Sequence, residues 1–309
     1  MPNASSLLRT AAPATDDDGH PLTTTNSSPA RRELNPMSDS VIEQVSDTAY
    51  LAAHLRAVES ARPDALFSDP LAARLSGERG RRIAEAAPNP LSAWQIAMRT
   101  LVIDRLLRRA IADGVDAILN LGSGLDTRPH RLDVPATLRW IEVDYAHVQH
   151  FKSAALVGET ARCRVERVSL DLTEPAARRE LFTRIDAEAP RVLVLTEGVV
   201  PYLSVEDAGA LADDLFNLKA AVGWIVDYVA PEIVRYRRTA KVDAANAPFL
   251  FEPPDWHAFF AARGWRQREI RYLAEEAAEQ GRPPMLPPQV AQSEGFRKSM
   301  GYVLLERGR

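Results

Sequence analysis

The chain has little that would tie it to an oxidising compartment, a membrane or nucleic acid. Its one cysteine, Cys163, excludes an internal disulfide and a cysteine-based metal site, so a reducing cytoplasm is expected. No apolar run approaches the roughly 20 residues needed to span a bilayer, and the first residues lack a hydrophobic signal core. A formal net charge of −4 provides no general basic field for nucleic acid. These absences predict a cytoplasmic protein with neither a membrane nor a nucleic acid as partner.

What is present is typical of a globular protein preceded by a polar tail. Hydrophobic residues make up 46% and charged residues 26% of the 309 positions, which is enough for a large core. Residues 1–45 are rich in Pro, Ser, Thr, Asn and Asp. Such a segment buries too little apolar surface to offset the entropy of ordering it. We therefore predict a disordered tail over 1–45 and a folded domain over 46–309.

Strand-like and helical patterns alternate through the middle of the chain. This alternation predicts an α/β fold with a mostly parallel sheet and helices on both faces. The strand-like runs are 116–121, 138–143, 164–168, 191–196 and 222–228, with helical patterns at 146–157, 175–186 and 205–220. Two further strands are expected at 265–272 and 301–305, the second returning antiparallel into the sheet. Helices predicted at 47–60, after Pro70 and at 91–112 would form an N-terminal cap over 46–112.

A glycine turn between two predicted strands carries the strongest functional signal. Gly122 and Gly124 follow the first strand, and Asp144 ends the second. Glycines let the backbone approach a ligand closely, and an acid in this place can accept hydrogen bonds from ribose hydroxyls. The pattern therefore predicts a site for a nucleoside-bearing cofactor. Thr127 stands where a dinucleotide fingerprint has its third glycine, which weakens a nicotinamide cofactor and favours S-adenosylmethionine.

Seven short blocks of the sequence, taken together in their order and spacing, indicate the class of protein more specifically than the glycine turn alone. They are residues 67–72, 98–100 with 103–104, 120–128, 142–144, 151–152, 171–172 and 196–203. In these blocks the chain resembles the leucine carboxyl methyltransferase family, especially its bacterial branch. The resemblance implies a class I, Rossmann-like methyltransferase fold with a seven-stranded sheet, an antiparallel last strand and S-adenosylmethionine as cofactor.

The resemblance also implies roles at the amino-acid end of that cofactor. Arg99 would bind the methionine carboxylate, for which a guanidinium is a natural partner. Glu197 would accept from the ammonium group, and Gly122 would lie against the same part of the ligand. An acid after four apolar residues is costly unless it is paired, which favours a functional role for Glu197. A solvated arginine on an amphipathic helix is the alternative for Arg99.

At the nucleoside end the resemblance implies three further residues. Asp144 would bind the ribose hydroxyls, Asp171 would accept from the exocyclic amine of adenine, and Leu172 would cover the ring. The alternatives are a strand-end cap for Asp144 and a helix start for Asp171. Asp126 and Thr127 are expected to fix the loop rather than to contact ligand.

The sequence says less about the residues that would contact the molecule receiving the methyl group. Tyr202, just beyond Glu197, is the candidate catalytic residue, with core packing as its alternative. Histidines are the usual general bases, but each of His54, His130, His147 and His150 is more often structural. No metal site is expected. An aromatic-rich segment at about 230–262 reads either as a lid over an apolar small molecule or as core.

The predicted function is O-methylation of a carboxylate or hydroxyl on a small molecule, such as a secondary metabolite or lipid precursor. The predicted oligomeric state is a monomer or homodimer. Two alternatives stay open at this point. One is a nicotinamide-dependent oxidoreductase, and the other is a non-catalytic ligand-binding protein of the same fold.

Overall fold

A computed structural model describes residues 46–86, 88–239 and 247–308, and the predicted tail lies outside them. Within these residues a seven-stranded sheet has the order β3-β2-β1-β4-β5-β7-β6. The strands are β1 (Ala117–Leu121), β2 (Arg139–Asp144), β3 (Arg164–Ser169), β4 (Val192–Thr196), β5 (Ala221–Val229), β6 (Trp265–Tyr272) and β7 (Met300–Arg307). The first five strands pair in parallel, and β7 is antiparallel to both β5 and β6. The predicted α/β fold and its antiparallel last strand are confirmed.

Helices connect the strands and precede the sheet. They are α1 (Asp47–Ser60), α2 (Ala72–Ala86), α3 (Pro90–Ala112), α4 (Arg128–Arg131), α5 (Ala146–Ala155), α6 (Pro175–Glu188), α7 (Val205–Asn217), α8 (Pro231–Thr239), α9 (Trp256–Ala261), α10 (Leu273–Glu279), α11 (Pro288–Ala291) and α12 (Glu294–Arg297). A 3₁₀ turn covers Val200–Tyr202. Pro70 lies in the turn before α2 rather than within the helix, which begins at Ala72.

Local sequence explains where several helices begin. The Asn89 side chain accepts from the backbone N–H of Leu91 at 2.9 Å, and Pro90 opens α3 without leaving an unsatisfied donor. Ser204 caps α7 in the same way by accepting from the N–H of Asp207 at 3.0 Å. These caps fix the residues at which α3 and α7 begin.

The core lies on both faces of the central strands. Every residue of β1 and β4 is buried, as their continuous apolar runs predict for strands covered on two sides. One face packs against α6, α7 and α9, and the other against α3 and α10. No helix in the described ranges is both long and apolar enough to cross a membrane.

Candidate active site

The loops that leave β1, β2 and β4 meet at one edge of the sheet. These strands are neighbours and run in parallel, so their carboxyl ends lie side by side. Ligands of open α/β sheets bind at this edge. The structure brings Gly122, Asp144 and Glu197 to this edge, as the sequence predicts.

Only glycine fits the first position of the turn after β1. Gly122 has a φ of +66°, and a Cβ built on it would lie 2.4 Å from Cγ2 of Val199 in the loop after β4. Its N–H donates to the carbonyl of Val143 at 2.8 Å. The turn is therefore pressed against the loops of both neighbouring strands.

Asp144 joins the turn to the end of β2. One carboxylate oxygen accepts from the N–H of Gly124 at 2.6 Å, and the other accepts from the N–H of Tyr145 at 2.7 Å. The side chain thus caps the strand end, and each oxygen keeps a further lone pair for a ligand hydroxyl. Burial raises the pKa of Asp144 above its usual range, although the two backbone N–H groups oppose the rise.

Arg99 and Glu197 form an ion pair on the other side of the turn. Arg99 comes from α3, and its Nε lies 2.9 Å from Oε1 of Glu197. Oε2 of the same glutamate accepts from Nη1 of Arg128 at 2.5 Å. Burial alone would raise the pKa of Glu197, but Arg128 and Arg99 hold it below its usual range. An anion and a cation therefore stand next to each other, which matches the two charges of a zwitterionic amino acid.

Sequence reasoning missed Arg128 as a functional residue. Its guanidinium is buried and also donates from Nε to Asp104 at 2.7 Å, while Asp126 lies 3.1 Å from Nη1. Arg131 pairs with the second oxygen of Asp104 at 2.6 Å. Both Arg128 and Asp104 belong to blocks of the resemblance, but their pairing across 24 positions appears only in the fold.

A second set of contacts ties the N-terminal helices to the turn. Arg56 of α1 donates to Asp69 at 2.9 Å and to the carbonyl of Leu125 at 2.7 Å. The hydroxyl of Thr127 donates to the same oxygen of Asp69 at 2.7 Å.

Within the turn itself, Asp126 accepts from the side-chain amide of Asn120 at 2.9 Å. Asp126 and Thr127 therefore fix the loop, as predicted.

These contacts also bear on the nicotinamide alternative. A dinucleotide fingerprint uses its third glycine to pack a long helix against the strand. Here Thr127 is tied to Asp69, and the following helix, α4, spans only Arg128–Arg131. The turn does not open a helix whose N-terminus could receive a pyrophosphate.

Asp171 and Leu172 follow β3 and lie next to the Asp144 region. Oδ1 of Asp171 accepts from the N–H and the hydroxyl of Thr173 at 2.9 and 2.8 Å, so this oxygen stabilises a turn. The next helix, α6, begins later, at Pro175, and its N-cap is Glu174 rather than Asp171. Burial and then the charge of Asp171 raise the pKa of Tyr145, the residue after Asp144. Leu172 packs partly on the core. Both residues follow β3 beside the end of β2, where the N–H of Leu170 donates to the carbonyl of Asp144 at 2.9 Å, and their contact with a nucleoside stays a prediction.

Tyr202 lies on the amino-acid side of the edge. Its ring meets Phe249 edge to face with 5.1 Å between centroids, and its hydroxyl is hydrogen-bonded to Thr48 of α1. Burial raises the pKa of Tyr202, whereas the charges of Arg99 and Arg237 oppose the rise. Residues of α1, α3 and α8 therefore lie close to this tyrosine.

The candidate histidines and most aromatic residues of the predicted lid make contacts that belong to the fold. Burial lowers the pKa of His130, and His147 lies with Nε2 3.2 Å from Oγ of Ser46. Core packing was the alternative to a lid for this segment, and three of its aromatic residues do belong to the core, namely Phe251, Trp256 and Phe260. Phe249 instead contacts Tyr202. In the described part of the chain no group of acidic, histidine or cysteine side chains could hold a metal.

Comparison with solved structures supports the class of the fold. A DUF574 family protein from Streptomyces avermitilis superposes with a TM-score of 0.54 at 15% identity, covering 85% of this chain and 97% of that one. A "putative methyltransferase" from Thermobifida fusca gives a TM-score of 0.52 at 16% identity, covering 77% and 93%. The sheet order and these likenesses define a Rossmann-like methyltransferase fold.

Sequence comparison identifies the family. The model of the leucine carboxyl methyltransferase family matches residues 49–216. A Frankia alni protein named "Putative S-adenosyl-L-methionine-dependent methyltransferase" is 34% identical over 263 residues, or 80% of this chain and 91% of its own length. A similarly named protein from Streptomyces avermitilis is 33% identical over 258 residues, covering 78% and 90%. The chain belongs to the leucine carboxyl methyltransferase family.

Proposed function

We propose that the chain transfers a methyl group from S-adenosylmethionine to an oxygen atom, carboxylate or hydroxyl, of a small molecule. Methyl transfer is the activity of the family, and S-adenosylmethionine is the donor in the names of the curated relatives. The observation that carries the site assignment is the Arg99–Glu197 pair beside the glycine turn. The two charges suit the carboxylate and ammonium groups of the donor.

Each end of the donor has residues of suitable chemistry. Arg99 would bind the carboxylate and Glu197 the ammonium group, while Gly122 allows close approach of the backbone. Asp144 would accept from the ribose hydroxyls with the lone pairs left by its two backbone bonds.

For the base of the donor we propose Asp171 and Leu172. Oδ1 of Asp171 is used by Thr173, which leaves Oδ2 for the exocyclic amine of adenine. Leu172 would cover the ring.

When bound, the donor supplies a methyl carbon that is already electrophilic because it is attached to a sulfonium. The chain has to align an acceptor oxygen with that carbon and exclude water. Tyr202 would contact the acceptor, since its hydroxyl is held by Thr48 at the edge where Arg99 lies. A carboxylate acceptor needs no general base at neutral pH, whereas a hydroxyl needs one.

The charges around Tyr202 favour an anionic acceptor. Arg99 and Arg237 act on the phenol and Asp227 opposes them. Because Arg99 pairs with Glu197, the cation proposed for the acceptor is Arg237, whose guanidinium lies 4.3 Å from the ring centroid of Phe249. An apolar ring and a cation next to each other suit a carboxylate on an apolar carbon skeleton, such as a lipid precursor or secondary metabolite. The acceptor would enter between the N-terminal helices, as a cap over 46–112, and the part of the predicted lid around Phe249, which contacts Tyr202; residues 240–246 of that predicted lid lie outside the described residues.

Calorimetry with S-adenosylhomocysteine and with NAD tests the donor. We expect binding of the first and none of the second. A panel of carboxylates and alcohols, incubated with labelled S-adenosylmethionine, then tests the acceptor. Label transfer to alcohols but not to carboxylates would overturn the preference for an anionic acceptor. Binding without transfer to any acceptor would favour the non-catalytic alternative.

A further inference from the structure

A buried carboxylate on β5, Asp227, connects the site to the last strand of the sheet. Asp227 pairs in register with Tyr302 of β7, and the hydroxyl of Tyr302 donates to Oδ1 at 2.7 Å. Only 6% of Asp227 is exposed. Neither residue belongs to a block of the resemblance, so neither was predicted from the sequence.

The same carboxylate holds the loop that follows Glu197. The N–H of Gly198 donates to Oδ1 at 2.9 Å and lies 3.1 Å from Oδ2, and the N–H of Val199 reaches Oδ2 at 3.5 Å. Gly198 has a φ of +68°, which L side chains rarely adopt. Asp227 therefore stabilises an unusual backbone conformation directly after Glu197.

This loop touches the other groups at the amino-acid end of the site. A Cβ on Gly198 would lie 3.2 Å from Nη1 of Arg99, and Val199 is pressed against Gly122. The charges of Arg99 and Glu197 both act on Asp227. The nucleoside end is held by different contacts, through the backbone bonds of Asp144.

Burying a carboxylate that has only three uncharged hydrogen-bond donors costs desolvation free energy. Burial raises the pKa of Asp227, and its hydrogen bonds to Tyr302 and Gly198 oppose the rise. Such a cost is typical of positions where function requires a defined geometry.

We propose that Asp227, supported by Tyr302, is a positioning residue for the amino-acid end of the methyl donor. It acts through the 197–199 loop, which it holds so that Glu197 and Arg99 face the ammonium and carboxylate groups. It has no part in binding the nucleoside. This inference rests on the proposed function and adds two residues to it.

The test compares two probes that share a nucleoside, namely S-adenosylhomocysteine and 5′-methylthioadenosine, which lacks the amino-acid end. Calorimetry is done on the full chain. Asp227→Asn replaces one acceptor oxygen by a donor that faces the N–H of Gly198. We expect the affinity for S-adenosylhomocysteine to fall about tenfold or more, and that for methylthioadenosine to change less than about twofold. Tyr302→Phe should show the same selectivity with a smaller loss.

Asp186 provides a matched control. It lies in α6, and its carboxylate accepts from the N–H groups of Lys219 and Ala220 at 3.1 and 2.7 Å, before the amino end of β5. Asp186→Asn should lower the melting temperature without changing the ratio of the two affinities.

Equal losses for both probes in Asp227→Asn would assign the residue a merely structural role and overturn the inference. An unchanged affinity for S-adenosylhomocysteine would overturn it as well. If Asp227→Asn does not fold, the selectivity of Tyr302→Phe decides in the same way. A wild-type chain that binds neither probe would instead overturn the proposed function.

Discussion

Two clusters of charge, one built on Glu142 of β2 and the other on Glu197 just after β4, differ in how far their groups are exposed to solvent. In the closed cluster, Glu142 binds Lys152 through Oε1 at 2.7 Å and Arg167 through Oε2 at 3.0 Å, and the side chains of Glu142 and Lys152 are 0% exposed. In the open cluster, the side chains of Glu197 and Arg99 are 12% and 21% exposed. The 2.9 Å separation of Arg99 Nε from Glu197 is within ion-pair distance, but the Nε–H makes no aligned hydrogen bond.

The difference shows that a buried acid is not by itself a sign of function. Glu142 satisfies a buried lysine and stabilises the fold, because an unpaired buried charge would be costly. Glu197 also has a cation at each oxygen, but it lies where strand ends meet, and it and Arg99 are partly exposed. Solvent exposure at the carboxyl edge therefore distinguishes the candidate ligand group from the structural one.

Breaking the closed cluster should give the largest change in stability. Glu142→Gln leaves Lys152 charged and unpaired in the core, which should lower the free energy of unfolding by about 3–5 kcal/mol. Urea denaturation measures the loss. The double variant Glu142→Gln, Lys152→Met should recover much of it. An equally large loss of S-adenosylhomocysteine affinity in folded Glu142→Gln would contradict the distinction between the two clusters.

Breaking the open cluster should affect binding more than stability. Glu197→Ala should abolish measurable binding of S-adenosylhomocysteine, a loss of at least about 100-fold or 2.7 kcal/mol, because the ammonium group loses its acceptor. Asp144→Ala should do the same at the ribose. Arg128 keeps Asp104 and Asp126 in the Glu197 variant, so its stability should fall less than that of Glu142→Gln. Calorimetry showing normal binding in either variant would refute the site assignment.

Lowering the pH should weaken binding at the ribose end of the site before it affects the amino-acid end. Burial raises the pKa of Asp144, whereas the two arginines lower that of Glu197, so Asp144 takes up a proton first as the pH falls. A protonated Asp144 loses acceptor capacity for ribose, so affinity should fall by about tenfold per pH unit below its pKa. Calorimetry from neutral to acidic pH measures this slope. Asp144→Asn should bind more weakly and flatten the slope; an unchanged slope would show that another group titrates.

Deleting residues 1–45 should have the smallest effect. Among the described residues, the groups paired in the two clusters begin at Arg99, and Ser46 before α1 is the first to contact the residues after β2, through His147. Affinity for S-adenosylhomocysteine should stay within about twofold of the full chain, a change of less than about 0.5 kcal/mol. A large loss would show that the 1–45 segment closes the open cluster.

Local patterns in the sequence were sufficient for the fold. The apolar runs of β1 and β4 and the helical spacing between strands predicted the elements to within a few residues, because burial on two faces needs continuous apolar side chains. Asp144 and Glu197 were predicted because each directly ends a strand. Arg128 and Asp227 were missed as site residues, since their partners lie 69 and 75 positions away.

The sequence by itself determined the α/β alternation, the glycine turn and the acids at the strand ends, because these depend on residues close together in the chain. It assigned a role to Asp144 at the strand end but gave no partner for Glu142, two positions earlier in β2. Only the tertiary structure decided that the glutamate is enclosed by Lys152 and Arg167 while the aspartate faces the turn. The reason is that pairing and solvent access of a charge depend on which distant side chains the fold brings to it.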